Sequence, residues 1–160
     1  MDAQLSLLLH IVDEAYNHRA WHGPNLVGAL RGLSPTEAAW RPDEGRHNIW
    51  ELEVHCAYWK YAVRRRILGL QRGSFALKGS NWFARLDHLT RERWKSDLRL
   101  LADEHHLLRA AIAGLPPARL RQLTPGGTVR IDRLICGIAA HDVYHAGQIQ
   151  ILKRLYRGTR

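Results

Sequence analysis

Two histidines stand four residues apart in the stretch HDVYHAGQIQ, residues 141–150, inside a run that otherwise reads as apolar helix. Burying an imidazole costs more than burying Leu or Ile, so something must compensate. Residues i and i+4 share one helical face, about 6 Å apart along the axis, and from there His141 and His145 can converge on one divalent ion at metal–nitrogen distances of about 2.0–2.1 Å. A lone core histidine ordinarily donates to a backbone carbonyl and needs no ion. A pair at this spacing on an inner face favours metal. Gln148 follows on the same stripe, where it can orient an imidazole or a bound water.

The other histidines test how selective that reasoning is. His18 and His22 are also four apart, but they project away from the apolar stripe of their helix and read as surface or boundary residues. His10 points opposite that stripe, and His47, His88 and His106 lie off the inward stripes. His105 faces inward on its helix, while His55 flanks a stripe between Leu52 and Trp59. Pattern alone slightly favours His105 as a third ligand. Comparison with the zinc-protease signature HExxH fails, because Asp142 is a methylene shorter than Glu and nothing after His145 is His, Asp or Glu. The third ligand must come from an earlier helix.

Apolar residues recur at spacings of three and four through most of the chain, without sustained strand alternation, so the fold is read as all α. A first helix is predicted from about Ala3 to Ala20, with Leu5, Leu8, Val12, Ala15 and Tyr16 inward. Gly23-Pro24 breaks it before a continuation through Leu26 and Leu30. Ser34, Pro35 and Glu37 start a short connecting helix that ends before Pro42. The second main helix begins at the capping box of Asn48 and Glu51, and it carries Ile49, Leu52, Cys56, Trp59, Val63, Ile67 and Leu70 inward before Gly69 or Gly73 ends it. Residues 71–89 are irregular, with Trp82, Phe83 and Leu86 expected to pack, and are long enough to cross from one end of a bundle to the other. The third helix runs from about Thr90 to Ala113, with Trp94, Leu98, Leu101, His105, Leu108 and Ile112 inward. The fourth runs from about Thr128 to Tyr156, its stripe being Ile131, Leu134, Ile138, His141, His145, Gln148, Leu152 and Leu155. Such elements make a four-helix bundle, with the two histidines and Gln148 at its centre and Asp142 and Tyr144 at its boundary.

A chain of 160 residues is expected to form a single domain, residues 1–160. Cys56 and Cys136 lack a CxxC spacing and are read as reduced core thiols. The amino-terminal stretch has an acidic second residue and no basic region, which excludes a signal peptide, and no run is apolar enough to span a membrane, so the expected location is cytoplasmic. The net charge of +9 raises nucleic acid as a partner, but the 20 Arg and 4 Lys are spread along the chain without interleaved aromatics, and that class is set aside. The densest cluster, Arg64, Arg65 and Arg66 with Arg72 nearby, suits an anionic small molecule instead.

The segments HNIWELEVHCAYW, residues 47–59, and GIAAHDVYHAGQI, residues 137–149, together with Trp40-Arg41-Pro42, resemble the DinB/YfiT-like family over nearly the whole chain. The HxxxHxGQI element is the specific part. This resemblance implies an up-down-down-up four-helix bundle with the long crossover between helices 2 and 3. It also implies a metal held by His55, His141 and His145, which displaces His105 from the pattern-based set. Gly147 matches the family's small residue beside the second histidine, and the run from Trp21 to Asn25 is similar to a subset of members, which would put His22 near the mouth of the site.

Three neutral imidazoles leave a divalent ion its full charge and an open position, the arrangement of a catalytic site. Imidazole suits Zn or Ni, with Fe also compatible. Relatives resembling this chain imply a transferase that uses a low-molecular-weight thiol on small electrophilic substrates, in detoxification or stress response, or else a hydrolase, and a homodimer. The Arg64–Arg66 rim would hold the thiol's anionic groups. The contrasting expectation is a non-catalytic metal-binding or interaction bundle, in which the ion serves the fold alone.

Overall fold

Residues 2–85 and 87–158 are described by a computed structural model. Their long elements are all helices, with no strand among the described residues beyond one isolated bridge between Leu123 and Arg130. Four long helices are α1 (Ala3–Tyr16), α4 (Ile49–Leu68), α5 (Arg91–Ala113) and α6 (Ile131–Gly158); two short ones, α2 (Leu26–Leu30) and α3 (Pro35–Ala39), join the first pair. Leu86 lies outside the described residues.

Local chemistry sets the boundaries. The Asn48 side chain accepts from the Glu51 N–H while Glu51 reaches back, so α4 starts where its capping box predicts, and Gly69 ends it in a left-handed conformation at φ 70°. Thr90 caps α5 by accepting from the Arg93 N–H. Two ends differ from expectation. Helix α1 stops at Tyr16 rather than Ala20, because the Asn25 side chain takes the His18 carbonyl and then caps α2 through the Gly28 N–H. Helix α6 starts at Ile131, since Thr124 and Val129, and Ile131 and Gln122, pair through their backbones and keep the preceding residues in a turn.

The long helices form a ring in which α4 packs on α5 and α6, and α1 on α6 and α5, leaving α5 and α6 at opposite corners. Contacts rise together along α4 and α5, from Trp50 with Asp97 to Arg64 with Glu104. They run oppositely along α4 and α6, where His55 meets His145 and Lys60 meets Asp142. One apolar cluster joins the first half of α4 to Trp94, Leu101, Ile149 and the short helices, and a second joins α1 to Val63, Ile67, Leu108, Ile112 and the first half of α6.

Helix α6 corrects the sequence reading in a specific way. The expected stripe set Leu134, His141, Gln148 and Leu155 beside Ile131, Ile138, His145 and Leu152, and only the second set is buried. The first set is replaced by Ile135, Asp142, Ile149 and Tyr156, one residue on and so about 100° round the helix, and Leu155 ends exposed. His141 and Gln148 sit half-buried on the flank rather than at the centre, and Asp142, read as a boundary residue, is 1% exposed. Leu70 is exposed for a simpler reason, lying beyond the end of α4. Cys56 is buried, but Cys136 faces outward and is no core residue. None of the described helices is long and apolar enough to cross a membrane.

Candidate metal centre

His55 comes from the middle of α4, and His141 and His145 come from successive turns of α6. Their Nε2 atoms converge: His141 Nε2 lies 3.1 Å from both His55 Nε2 and His145 Nε2. The outward nitrogens are tied elsewhere, as His55 Nδ1 donates to the Asn81 carbonyl at 2.8 Å and His145 Nδ1 to Gln148 Oε1 at 2.6 Å. Those two donations put the ring protons on Nδ1 and turn both Nε2 lone pairs inward. Lone pairs facing one another repel unless a proton or a cation lies between them. Three ligands around a tetrahedral ion at about 2.0–2.1 Å would sit about 3.3 Å apart, close to the spacings found. The donor set therefore fits a divalent ion, and His55, His141 and His145 can hold one.

Burial depresses all three rings as bases. It brings His55 down to about 4, with the Asn81 carbonyl opposing, and His141 to about 3, helped by the neighbouring histidines and Lys60. His145 is lowered by the same desolvation, against its bond to Gln148. Neutral rings are the metal-binding form, so the site is set to ligate at neutral pH.

His105 is inward as its stripe predicts, only 2% exposed, yet it does not join the cluster. Helix α5 sits across the ring from α6, and the His105 ring stacks on Tyr16 at 3.6 Å. Burial, with the charge of Lys60, holds it down to about 2. His22 is exposed and lines a neighbouring groove with Ile11, Glu14, Cys136 and Ala140, touching the centre's surroundings only through Tyr144. His10, His18, His47, His88 and His106 are exposed as expected.

Three depressed imidazoles at the centre, with His105 as a fourth, give a signed prediction for the metal-free protein. Each folded-state value lies below the unfolded reference of about 6.5, so the unfolded chain takes up more protons and stability falls as pH drops through that interval. The loss is about 1.4 kcal/mol per pH unit for each ring that stays neutral. Thermal melts of chelator-treated protein are expected to be flat from pH 8 to 7 and to fall steeply from pH 6.5 towards pH 4. A midpoint unchanged at pH 4.5 would mean the rings are not buried as described.

Around the imidazoles the crossover builds a wall that sequence patterns left unassigned. Trp82 stacks on His55 at 3.9 Å and on His47 at 3.6 Å, sandwiched between them although 37% exposed. Asn81 is the keystone: its carbonyl takes His55 and its side chain accepts from the Trp59 indole at 2.9 Å. It does so with φ at 65°, a left-handed conformation that Asn tolerates better than most residues. Glu51 anchors the rim. Burial alone would raise its carboxyl, but hydrogen bonds from Arg41 and His47 prevail and hold it below its ordinary value. The only signal for this wall was an Asn-Trp-Phe triplet inside a Gly- and Ser-rich segment.

Behind the centre lies a polar interior that periodicity also missed. Lys60, fully buried, donates to Asp142 Oδ2, while Asp142 Oδ1 and His141 Nδ1 are buried without a partner. Burial raises the Asp142 carboxyl even against Lys60. Glu53 is buried completely, its two oxygens without a partner among the described residues, and desolvation and Asp97 push its carboxyl well up, with Arg85 opposing. In front, a cavity of about 600 Å³ opens beside His145, walled by Arg46, His47, Trp82, Tyr144, Gln148 and Ile151. Gln148 Nε2 donates to the Tyr144 hydroxyl oxygen at 3.1 Å, linking a ligand's support to that cavity.

No curated protein and no solved structure matches the chain. A family profile does, described as the DinB superfamily, and it spans residues 18–149, which include all three converging histidines. With most of its length covered and an all-helical fold to match, the chain belongs to the DinB superfamily.

Proposed function

We propose that the protein is a divalent-metal enzyme that transfers a low-molecular-weight thiol onto small electrophiles, with His55, His141 and His145 as the metal ligands. The observation that carries this reading is the pair of outward donations to Asn81 and Gln148, which commit two Nε2 lone pairs to one point beside an open cavity. A bound Zn or Ni ion, or Fe, would supply Lewis acidity there, favouring the thiolate form of a thiol in the cavity.

The rest is work for the chain's own residues. Trp82 and Trp59 exclude water from the flank of His55, which sharpens any charge in the site. Gln148 fixes the His145 ring, and because it donates to the Tyr144 oxygen it leaves the Tyr144 O–H as a donor to whatever fills the cavity. In the reaction a sulfur–carbon bond forms, the bond from that carbon to its leaving group breaks with its electron pair, and the thiol proton passes to water. No side chain is placed as a dedicated general base. The small-molecule substrate, a homodimeric assembly and a cytoplasmic setting belong to the same reading, and it assigns no role to nucleic acid or membrane.

Thiol binding separates this from an ion that serves the fold alone. Zinc- or nickel-loaded protein is expected to bind a low-molecular-weight thiol such as cysteine or glutathione, read by calorimetry, at least about tenfold more tightly than chelator-treated protein. Equal binding to both forms, or to neither for every thiol offered, would leave only the structural role.

A further inference from the structure

A second cluster of charge lies at the carboxyl end of α4, where its last turn meets the turn before α6. Arg65, Arg66 and Arg72 line one cavity of about 370 Å³ with the turn Thr124–Thr128, and no acidic residue lines it. Six other arginines of the described residues are matched to carboxylates: Arg41, Arg64, Arg85, Arg93, Arg109 and Arg130. Arg64, expected on the same rim, belongs to that matched group through Glu104 and is buried against it. The three around the turn have no ion pair among the described residues.

Arginines in the last turn of a helix offset its dipole, and that accounts for Arg65 and Arg66 separately. It does not account for Arg72, which lies beyond the helix, nor for their convergence. Two of the three are held in place: Arg65 Nη1 donates to the Leu70 carbonyl at 3.2 Å, and the Arg66 guanidinium lies over the Trp59 ring at 5.6 Å. The turn is seated against the helix end, since a Cβ on Gly69 would come within 3.2 Å of Pro125. Gly126 takes φ 66°, and a Cβ on Gly127 would collide with Thr124 Oγ1 at 2.2 Å, so both positions of the turn favour glycine. Like charges gathered and partly immobilised in this way repel one another until an anion neutralises them, and their immobilisation lowers the entropy cost of binding one.

We propose that this cavity binds the phosphate of a small-molecule phosphate ester. Three guanidiniums exceed what one carboxylate can neutralise, whereas a phosphate group carries about −1.5 to −2 and presents three oxygens to planar donor forks. This site is independent of the histidine centre and of any reaction there.

The test is calorimetric titration of the whole protein at pH 7.5 and modest salt with inorganic pyrophosphate, inorganic phosphate and acetate, and by fluorescence with a single-stranded oligonucleotide. Saturable binding in the order pyrophosphate, phosphate, acetate is expected, with Arg66→Gln and Arg72→Gln each weakening pyrophosphate at least about tenfold. Arg72 and Arg154 are both exposed, so Arg72→Gln should keep the parent's melting point and Arg154→Gln, on α6, its affinity. His145→Ala should bind pyrophosphate like the parent, and the Arg variants should keep the parent's metal content. Absence of saturation, equal weakening by Arg154→Gln, or oligonucleotide binding that outcompetes pyrophosphate would each overturn the proposal.

Discussion

His145→Ala protein is expected to bind zinc or nickel at least about a hundredfold more weakly than the parent, while His105→Ala protein binds as the parent does. The asymmetry follows from geometry. His145 Nε2 is one of three nitrogens facing a common point, and its ring is held by Gln148, whereas His105 lies on α5, stacked on Tyr16 and outside the cluster. Loss of a neighbour that merely orients a ligand costs about 10–100-fold in metal affinity, so loss of a ligand should meet or exceed the upper end. His55→Ala should behave like His145→Ala. Elemental analysis of untagged protein, with a chelator competition to rank affinities, reads all three variants. If the His105 change emptied the protein of metal and the His55 change did not, the ligand set would be wrong.

How much of this was legible beforehand depends on which physical signal each residue left. The helices announced themselves through caps and period: Asn48 and Glu51, Thr90, and the Gly69 stop lie where side-chain chemistry requires them. The pair His141 and His145 was visible because two imidazoles on one face need a common explanation. His55 was not, since its stripe position is only a flank and the inward His105 looked better. What separates them is ring position, with α4 beside α6 and α5 opposite it, and no one-dimensional pattern contains that. Asn81 was hidden for another reason, lying in a crossover without periodicity where a carbonyl, not a side-chain type, does the orienting, and Trp82, expected to pack, had no partner assigned there.

The buried pair behind the site offers the sharpest check on the interior, because its two members should fail differently. Lys60 is fully buried and Asp142 is 1% exposed, and Lys60 also lies 4.8 Å from the centre of the Tyr16 ring. In metal-free protein, Asp142→Leu strands an ammonium in a desolvated interior and is expected to cost about 3–5 kcal/mol in urea unfolding. Lys60→Met strands a carboxyl that burial already pushes up, and a carboxyl can escape by taking a proton. With its folded value above the unfolded one, the penalty from that carboxyl should be smallest at low pH and grow as pH rises, so the deficit relative to the parent at the same pH should be smaller at pH 5.5 than at pH 8. The double variant Lys60→Met/Asp142→Leu removes both charges from the interior and should recover most of the loss, since two apolar chains of similar volume replace a pair whose attraction barely offsets its desolvation. A double variant as unstable as the worse single one would show that the pair contributes something beyond charge balance. Asp142 Oδ1 and His141 Nδ1, on consecutive residues of α6 and without a partner among the described residues, are where that contribution would have to reside.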